Sequence, residues 1–475
     1  MGQYKRFASN TLLLTIGSFS SKALSFLLVP LYTAILTTEE YGTFDLIVTT
    51  VTLLTPFLTL VIAEGVMRFC LDSNKYDSRN ILSIGLFVVG IGSILFLVFL
   101  PVFKNIESLS QYFFWIWVFF IASNVHLVLT QYLKGINRIK LYTLCGVIST
   151  FLSLILNILF LVIFNWRITG YMLSYVSAHV CVSIFIMLRI KIWKLLVNPF
   201  KIPKHIYKEM LKYTVPMVPN SMSWWVSNSS DKYIITWLLS TSALGVYSVA
   251  YKIPSMLTVF TGIFTSAFQI SAVEDFGSEK SKKFFENMYS MFASLNVSIA
   301  VILILFAKPI AFVLFQKDFF KAWESTTVLL FAYLFNFLAG ILGTVYTSAK
   351  KTSFIFTSTI VGAVVNIVLN IILIRRWGII GAAVATMISY ICVWLLRVIN
   401  VRNILEFNLH LRVNIVSYLL VTLEIWLVLR NSVLGFVIAS VIVLVVLTIN
   451  GRVLYKSELM LGVKKRLLKK FRRIR

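Results

Sequence analysis

Acidic charge is scarce in this 475-residue sequence. Only 18 Asp and Glu stand against 44 Lys and Arg, and charged residues make up 13% of the chain. With 59% hydrophobic residues and a mean hydropathy of +0.88, that scarcity excludes a soluble globular domain, which carries roughly a quarter of its residues charged. The four cysteines (Cys70, Cys145, Cys181, Cys392) fall at unrelated depths and suggest neither a disulfide framework nor a metal site. The four histidines (His126, His179, His205, His410) are scattered and show no ligand spacing. No Gly-Lys dipeptide occurs, so there is no Walker A loop and no ATP hydrolysis in this chain. Long polar segments are missing too. Two of the linkers, near residues 104–111 and 316–324, are the longest on their side of the membrane at about ten residues each, too short to carry the catalytic groups of a membrane polymerase or ligase. The sequence therefore predicts no enzyme activity, no cofactor and no metal.

What is abundant is apolar sequence in runs of about 20 residues, each long enough to cross roughly 30 Å of hydrocarbon. Such runs begin near Thr11, Tyr41, Asn80, Gln111, Leu141 and Gly170, then near Tyr213, Gly245, Met288, Ser325, Phe354, Ile379, Val413 and Ser432. They predict an all-α polytopic membrane protein with about 14 transmembrane helices. Residues 1–36 read as a first span and not a cleaved signal peptide, because the apolar stretch is too long. The formal net charge of +26 falls mostly on alternate loops. With a cytoplasmic N-terminus, about 33 of the Lys and Arg face the cytoplasm and about 7 face outward, the positive-inside asymmetry. The basic tail from Arg452 to Arg475 then suits anionic head groups and not nucleic acid.

One stretch resists this reading. Ser227-Asn228-Ser229-Ser230-Asp231-Lys232 is wholly polar, yet it lies between Val215-Pro216-Met217-Val218-Pro219 and Tyr233-Ile234-Ile235-Thr236-Trp237. An Asp or Lys at a bilayer midplane costs about 2.5–3.5 kcal/mol on insertion scales. If the segment did not cross, every later loop would invert and the basic tail would lie outside. It is therefore read as a true span, and its polarity as a sign of a partner or a water-filled cavity.

Self-comparison reveals a repeat. Leu36-Thr37-Thr38-Glu39-Glu40-Tyr41-Gly42-Thr43-Phe44 is echoed by Leu239-Ser240-Thr241-Ser242-Ala243-Leu244-Gly245-Val246-Tyr247. Leu156-Asn157-Ile158 with Trp166-Arg167-Ile168-Thr169-Gly170 is echoed by Leu369-Asn370-Ile371 with Trp377-Gly378-Ile379-Ile380-Gly381. Six helices separate the copies, so both run in the same sense, as parallel repeats about an axis along the membrane normal do. The predicted organisation is an N-terminal lobe at 1–200 (helices 1–6) and a C-terminal lobe at 201–412 (helices 7–12), related by pseudo-twofold symmetry. Two additional helices and the basic tail occupy 413–475.

Pro216-Met217-Val218-Pro219, Ser229-Ser230-Asp231-Lys232-Tyr233-Ile234-Ile235 and Leu244-Gly245-Val246-Tyr247-Ser248-Val249-Ala250-Tyr251-Lys252 resemble the middle of Wzx-type polysaccharide biosynthesis flippases. These belong to the multidrug/oligosaccharidyl-lipid/polysaccharide (MOP) exporter superfamily. The Glu39-Glu40-Tyr41-Gly42 turn and Gly378-Ile379-Ile380-Gly381-Ala382-Ala383 fit the same family, and the resemblance covers about residues 5–400. It implies translocation of undecaprenyl-diphosphate-linked oligosaccharide repeat units across the bacterial cytoplasmic membrane, with both termini cytoplasmic. It further implies alternating access through a central cationic cavity, in the service of O-antigen, capsule or exopolysaccharide. Membrane lipids, a polysaccharide polymerase and chain-length machinery are the implied partners. A drug or small-solute exporter of the same superfamily is the nearest alternative, with a cavity expected to be richer in carboxylates and aromatics.

The cavity candidates are Lys22, Asp231, Lys232 and Lys252. A diphosphate head group needs cations as charge partners, and Lys serves as a mobile point charge. Asp231 and Lys232 point about 100° apart on a helix, so Lys232 is placed on the cavity and Asp231 on a partner or a local break, with the reverse left open. Lys252 can equally snorkel to the interface. Glu64 and Arg68, at i and i+4, form a local ion pair or a gate. Asn157, Gln269 and Asn370 are polar lining or interhelical hydrogen-bonding groups. Glu424, mid-span and outside the repeat, reads as a packing residue.

Overall fold

The computed structural model describes residues 26–72, 74–99, 107–258, 279–349, 351, 353–409 and 411–456, and among these there are helices and no strands. Two compact units divide the chain. One holds the residues up to Ser248 together with Lys317–Phe319, and the other holds Val249–Gln316 and the residues from Phe320 onward.

The first unit opens with α1 (Val29–Ile35) and α2 (Thr38–Leu58). A capping box starts α2: Glu40 N donates to Thr37 Oγ1 at 3.1 Å, and Thr37 N donates to Glu40 Oε2 at 2.8 Å. The second span is not continuous. Leu60 and Val61 take left-handed φ values of 52° and 55°, and the chain restarts as α3 (Ile62–Leu71). A left-handed β-branched residue is strained by about 1–2 kcal/mol, so Val61 marks an enforced break. Glu64 and Arg68 thus sit on a separate helix, not at the end of the second span.

Three long helices follow: α4 (Ser78–Phe96), α5 (Phe113–Gly135) and α6 (Ile139–Asn157). The unit continues with α7 (Arg167–Ile190), the amphipathic α8 (Lys204–Thr214), α9 (Met217–Leu238) and α10 (Thr241–Ala250). α8 buries Ile206, Met210 and Thr214, spaced four residues apart on one face. Ile206 and Met210 join Ile62, Val66, Leu129, Leu133 and Val182 in one apolar core. The boundary between the units falls inside α10. The seventh span, assigned by the repeat to the C-terminal lobe, therefore packs within the first unit.

The second unit contains α11 (Glu279–Leu305), α12 (Ala307–Leu314), α13 (Ala322–Ser348), α14 (Ser353–Val401), α15 (Leu411–Leu429) and α16 (Val433–Lys456). Its core includes an aromatic cluster of Phe335, Trp394 and Tyr418, fixed by a bond from Trp394 Nε1 to Tyr289 Oη at 3.0 Å. Forty-nine helical residues would reach about 74 Å, far more than one bilayer crossing. The chain breaks at Gly378, whose φ of 58° and ψ of −139° suit glycine alone, and α14 is two consecutive spans.

Nine helices among the described residues are long and apolar enough to cross a membrane, and Asn414–Leu429 is a shorter apolar one. Splitting α14 and adding the polar-interrupted α9 leaves two of the expected spans, those beginning near Thr11 and Gly245, which run into residues outside the described set. The fold is all-α and polytopic.

Two pairs of positions matched by the repeat share local structure. Arg167 and Gly378 occupy the same place in their copies, and both have positive φ, 48° and 58°. Asn157 and Asn370, also equivalent, are both fully buried.

Candidate functional site

The polar run of α9 meets α2 along a seam inside the first unit. Two equivalent glycines make the close approach at one end of it. A methyl group on Gly42 would lie 1.9 Å from Thr241 O, and one on Gly245 would lie 1.9 Å from Thr38 O. Thr38 corresponds to Thr241 and Gly42 to Gly245 in the repeat, so the contact is reciprocal, as a twofold relation requires. Thr38 Oγ1 and Ser242 Oγ share a hydrogen bond of 2.6 Å beside it.

One turn beyond this contact the charges appear. Lys232 Nζ lies 2.7 Å from Asp45 Oδ2, with both side chains 20% exposed. Ser248 Oγ donates to the same Asp45 oxygen at 2.8 Å. Lys232 Nζ also lies 3.4 Å from Thr49 Oγ1. Asp45 and Ser248 are themselves equivalent positions, each three residues after its glycine. Asp231 turns the other way. It is 4% exposed, its Oδ2 accepts from Tyr247 Oη at 2.9 Å, and its Oδ1 accepts from Lys232 N at 2.9 Å. The seam continues through a bond of 2.5 Å between Thr50 Oγ1 and Tyr233 Oη. Trp225 Nε1 donates to Thr49 O at 3.1 Å, and its ring meets Tyr233 edge-on at 5.7 Å.

This arrangement amends the expectation of bare lysines. Lys232 carries an acid of its own. A partly buried ammonium costs several kcal/mol to desolvate unless a carboxylate and further acceptors compensate it, and Asp45, Thr49 and Ser248 complete that set. Sequence reasoning passed over Asp45, although a signal existed. It is an acidic residue inside an otherwise uncharged stretch of the second span, in repeat register with Ser248.

The other candidates fall elsewhere. Lys22 and Gln269 lie outside the described residues. Lys252 belongs to the second unit, just past the turn at Tyr251, where its carbonyl accepts from Ser255 Oγ at 2.7 Å. Glu64 Oε1 accepts from Gln131 Nε2 at 2.6 Å, and among the described residues no ion pair joins it to Arg68. The i, i+4 pairing is thus replaced by a hydrogen bond across to α5. Asn157 Oδ1 accepts from Ser174 Oγ at 2.9 Å, and Asn370 Nδ2 donates to Asn366 Oδ1 at 2.9 Å. The first fastens a helix hairpin; the second lies within one helix, and it is Asn366 Nδ2 that reaches across the Gly378 break to Thr386 Oγ1 at 3.4 Å. His126 and His179, distant in sequence, bring their rings to 5.0 Å, yet no group of three or more potential metal ligands occurs among the described residues.

Outside the membrane-spanning helices, Glu209 of α8 binds Tyr76 and Lys75, the latter at 3.0 Å. The Tyr76 hydroxyl and then the Lys75 ammonium hold its carboxyl below the ordinary value of 4.5.

A model of the family described as polysaccharide biosynthesis protein matches residues 7–269, more than half of the chain. A second, described as MatE, matches residues 216–372. The chain is 23% identical over 189 residues to the probable low-salt glycan biosynthesis flippase Agl15 of Haloferax volcanii, a match covering 38% of this chain and 39% of that protein. The chain thus spans well under two thirds of that relative's length. Among solved structures, an inward-facing multidrug resistance MATE family transporter of the MOP superfamily superposes with a TM-score of 0.67 at 14% identity, over 81% of this chain and 95% of that one. The lipid II flippase MurJ in an inward closed conformation superposes with a TM-score of 0.65 at 15% identity, over 94% and 99%. At these identities the two structures share the fold.

Proposed function

The chain belongs to the polysaccharide biosynthesis protein family, and from that membership we propose that it is a Wzx-type flippase of the MOP superfamily. Its proposed substrate is an undecaprenyl-diphosphate-linked oligosaccharide repeat unit, carried across the cytoplasmic membrane for O-antigen, capsule or exopolysaccharide. Both termini face the cytoplasm in this reading, and the repeat halves 1–200 and 201–412 alternate access, with 413–475 appended. A polymerase and chain-length machinery take up the product.

The observation that carries the reading is the Lys232–Asp45 pair. An ion pair at 20% exposure is neither sealed nor fully solvated, so an incoming anion can compete for the ammonium. A diphosphate oxygen that captures Lys232 releases Asp45 onto Ser248, which already donates to it. Anion binding therefore loosens α9 from α2, and charge recognition is coupled to separation of helices that belong to different copies of the repeat. Tyr247 keeps Asp231 occupied meanwhile, so the adjacent acid does not recapture the lysine. Lys22 is the further cation proposed to receive the diphosphate.

The same seam favours a second reading in one respect. Asp45 lies one turn before Thr49 and Thr50, which bond Trp225 and Tyr233, so a carboxylate and aromatics share the seam, the composition expected of an exporter for cationic small solutes.

The deciding experiment reconstitutes the protein in liposomes and follows a labelled undecaprenyl-diphosphate oligosaccharide between leaflets. Protein-dependent movement that is lost in Lys22→Ala and Lys232→Ala is expected. No movement of the native repeat unit, together with export of an organic cation that needs Asp45, replaces the flippase by the drug-exporter reading.

A further inference from the structure

A cavity of about 580 Å³ opens at one end of the second unit, lined by Tyr346, Lys351, Ser353, Phe354, Asn400, Asn403 and Ile404. Its volume lies in the range of small-molecule sites. Tyr346 closes α13, Ser353 and Phe354 open α14, and the other three residues come from the far end of α14 and the turn after it. The polar lining is made of donors. Lys351 brings an ammonium, Ser353 a hydroxyl, and Asn400 and Asn403 two amides, and among the described residues no acidic side chain lines the cavity. The side chains of Lys351, Ser353 and Asn403 are exposed. The other wall is apolar: Tyr346 and Phe354 stack with centroids 5.6 Å apart and planes 23° apart.

Behind this lining lies a second cation. Arg397 is 7% exposed, and its guanidinium is spent on neutral acceptors: Ala339 O at 2.8 Å, Ser358 Oγ at 3.0 Å and Thr359 Oγ1 at 3.2 Å. Among the described residues no carboxylate forms an ion pair with it. Hydrogen bonds to carbonyls and hydroxyls satisfy the donors but leave the charge in place, and a buried charge acts through a low-dielectric medium with little screening. Asn400 follows Arg397 at i+3 and so shares its helix face, and Ile404 lies in the turn after the helix ends at Val401. Tyr346 Oη donates to the Arg397 carbonyl at 3.2 Å. A fixed positive charge therefore stands about one helical turn behind the cavity wall, with a flexible one, Lys351, at its mouth.

We infer that this cavity is a binding site for a phosphate group, presented either by the head group of an anionic membrane lipid or as free phosphate. Two cations without an acid create a positive potential, and the amides and the hydroxyl supply neutral donors for phosphate oxygens, the set that basic pockets at helix ends offer to head groups. The ring stack gives a glycerol backbone an apolar surface. Large apolar side chains beside the lining, Phe356 at 47% exposure and Ile399 at 68%, place that surface next to lipid-facing helix. The site stands independently of the transport reading.

The test titrates the delipidated full chain with dioctanoyl phosphatidylglycerol and follows the first lipid bound by native mass spectrometry. Lys351→Gln combined with Asn403→Ala is expected to weaken that binding by about fivefold or more. Lys351→Arg keeps wild-type binding, and so does Lys308→Gln, which removes a lysine held by Asn431 elsewhere in the second unit. Dioctanoylglycerol, which lacks the phosphate, binds at least tenfold more weakly. Displacement of the lipid by millimolar inorganic phosphate identifies free phosphate as a ligand of the site, and its failure to displace identifies the lipid head group. Wild-type affinity in the double variant, or equal binding of dioctanoylglycerol, overturns the proposal.

Discussion

The buried charges of the two units are handled in opposite ways. In the first unit, Lys232 and Asp45 neutralise each other across two helices drawn from different copies of the repeat, and Ser248, itself the equivalent of Asp45, completes the acid's coordination. In the second unit, Arg397 rests on carbonyls and hydroxyls with no acid, and Glu424 is fully buried with neither carboxylate oxygen hydrogen-bonded among the described residues. Intramembrane polarity alone therefore does not define a transport site. A reciprocated, part-exposed pair can exchange partners, whereas a sealed group can only be tolerated.

The strongest way to break this comparison is to force the seam apart. Gly42→Ala and Gly245→Ala each place a methyl group against backbone, which cannot rotate away. Each should cost about 3 kcal/mol or more, read as loss of folded protein in detergent unfolding. A variant with wild-type stability would show that α2 and α10 do not pack at this distance. Next comes Lys232→Ala, which strands Asp45 and should cost about 2 kcal/mol, less than a fully buried break because both side chains keep some solvent. The double variant Asp45→Asn/Lys232→Gln should regain most of that stability and still not transport. Equal losses in the single and double variants would deny the coupling.

The third change has the opposite sign. Glu424→Leu removes a buried group that has no hydrogen-bond partner among the described residues, and should raise stability by about 1–2 kcal/mol with transport intact. Loss of transport instead would move Glu424 from packing to function. The smallest effect lies at the surface of the first unit. The Glu209 carboxyl is held below its ordinary value by Tyr76 and then Lys75, so its contribution is fully present above pH 4.5 and fades as pH falls through the lowered folded value. Hydrogen exchange of α8 should therefore quicken at acidic pH in the wild type, and Tyr76→Phe should narrow the difference. An α8 whose exchange ignores both would remove Glu209 as its tether.

Much of the fold was legible in the sequence, for identifiable reasons. Span positions follow from local sums of hydropathy, and the repeat from matched letters at Gly42 and Gly245. The break inside the second span was not legible, because nothing in Leu60-Val61 prefers a left-handed turn; packing enforces it. Asn157 and Asn370 looked like lining or fastening with equal justice until Ser174 was placed opposite Asn157, and Asn366, one turn before Asn370 on the same helix, was placed against Thr386.

The polar run from Ser227 to Lys232 divides the two kinds of knowledge most clearly. Charge parity alone predicts that it crosses, because insertion depends on which residues are present. Whether Lys232 meets substrate bare or paired depends on helix rotation, which sequence spacing fixes only within one helix. Only tertiary structure could bring Asp45, far away in the chain, to 2.7 Å from its ammonium.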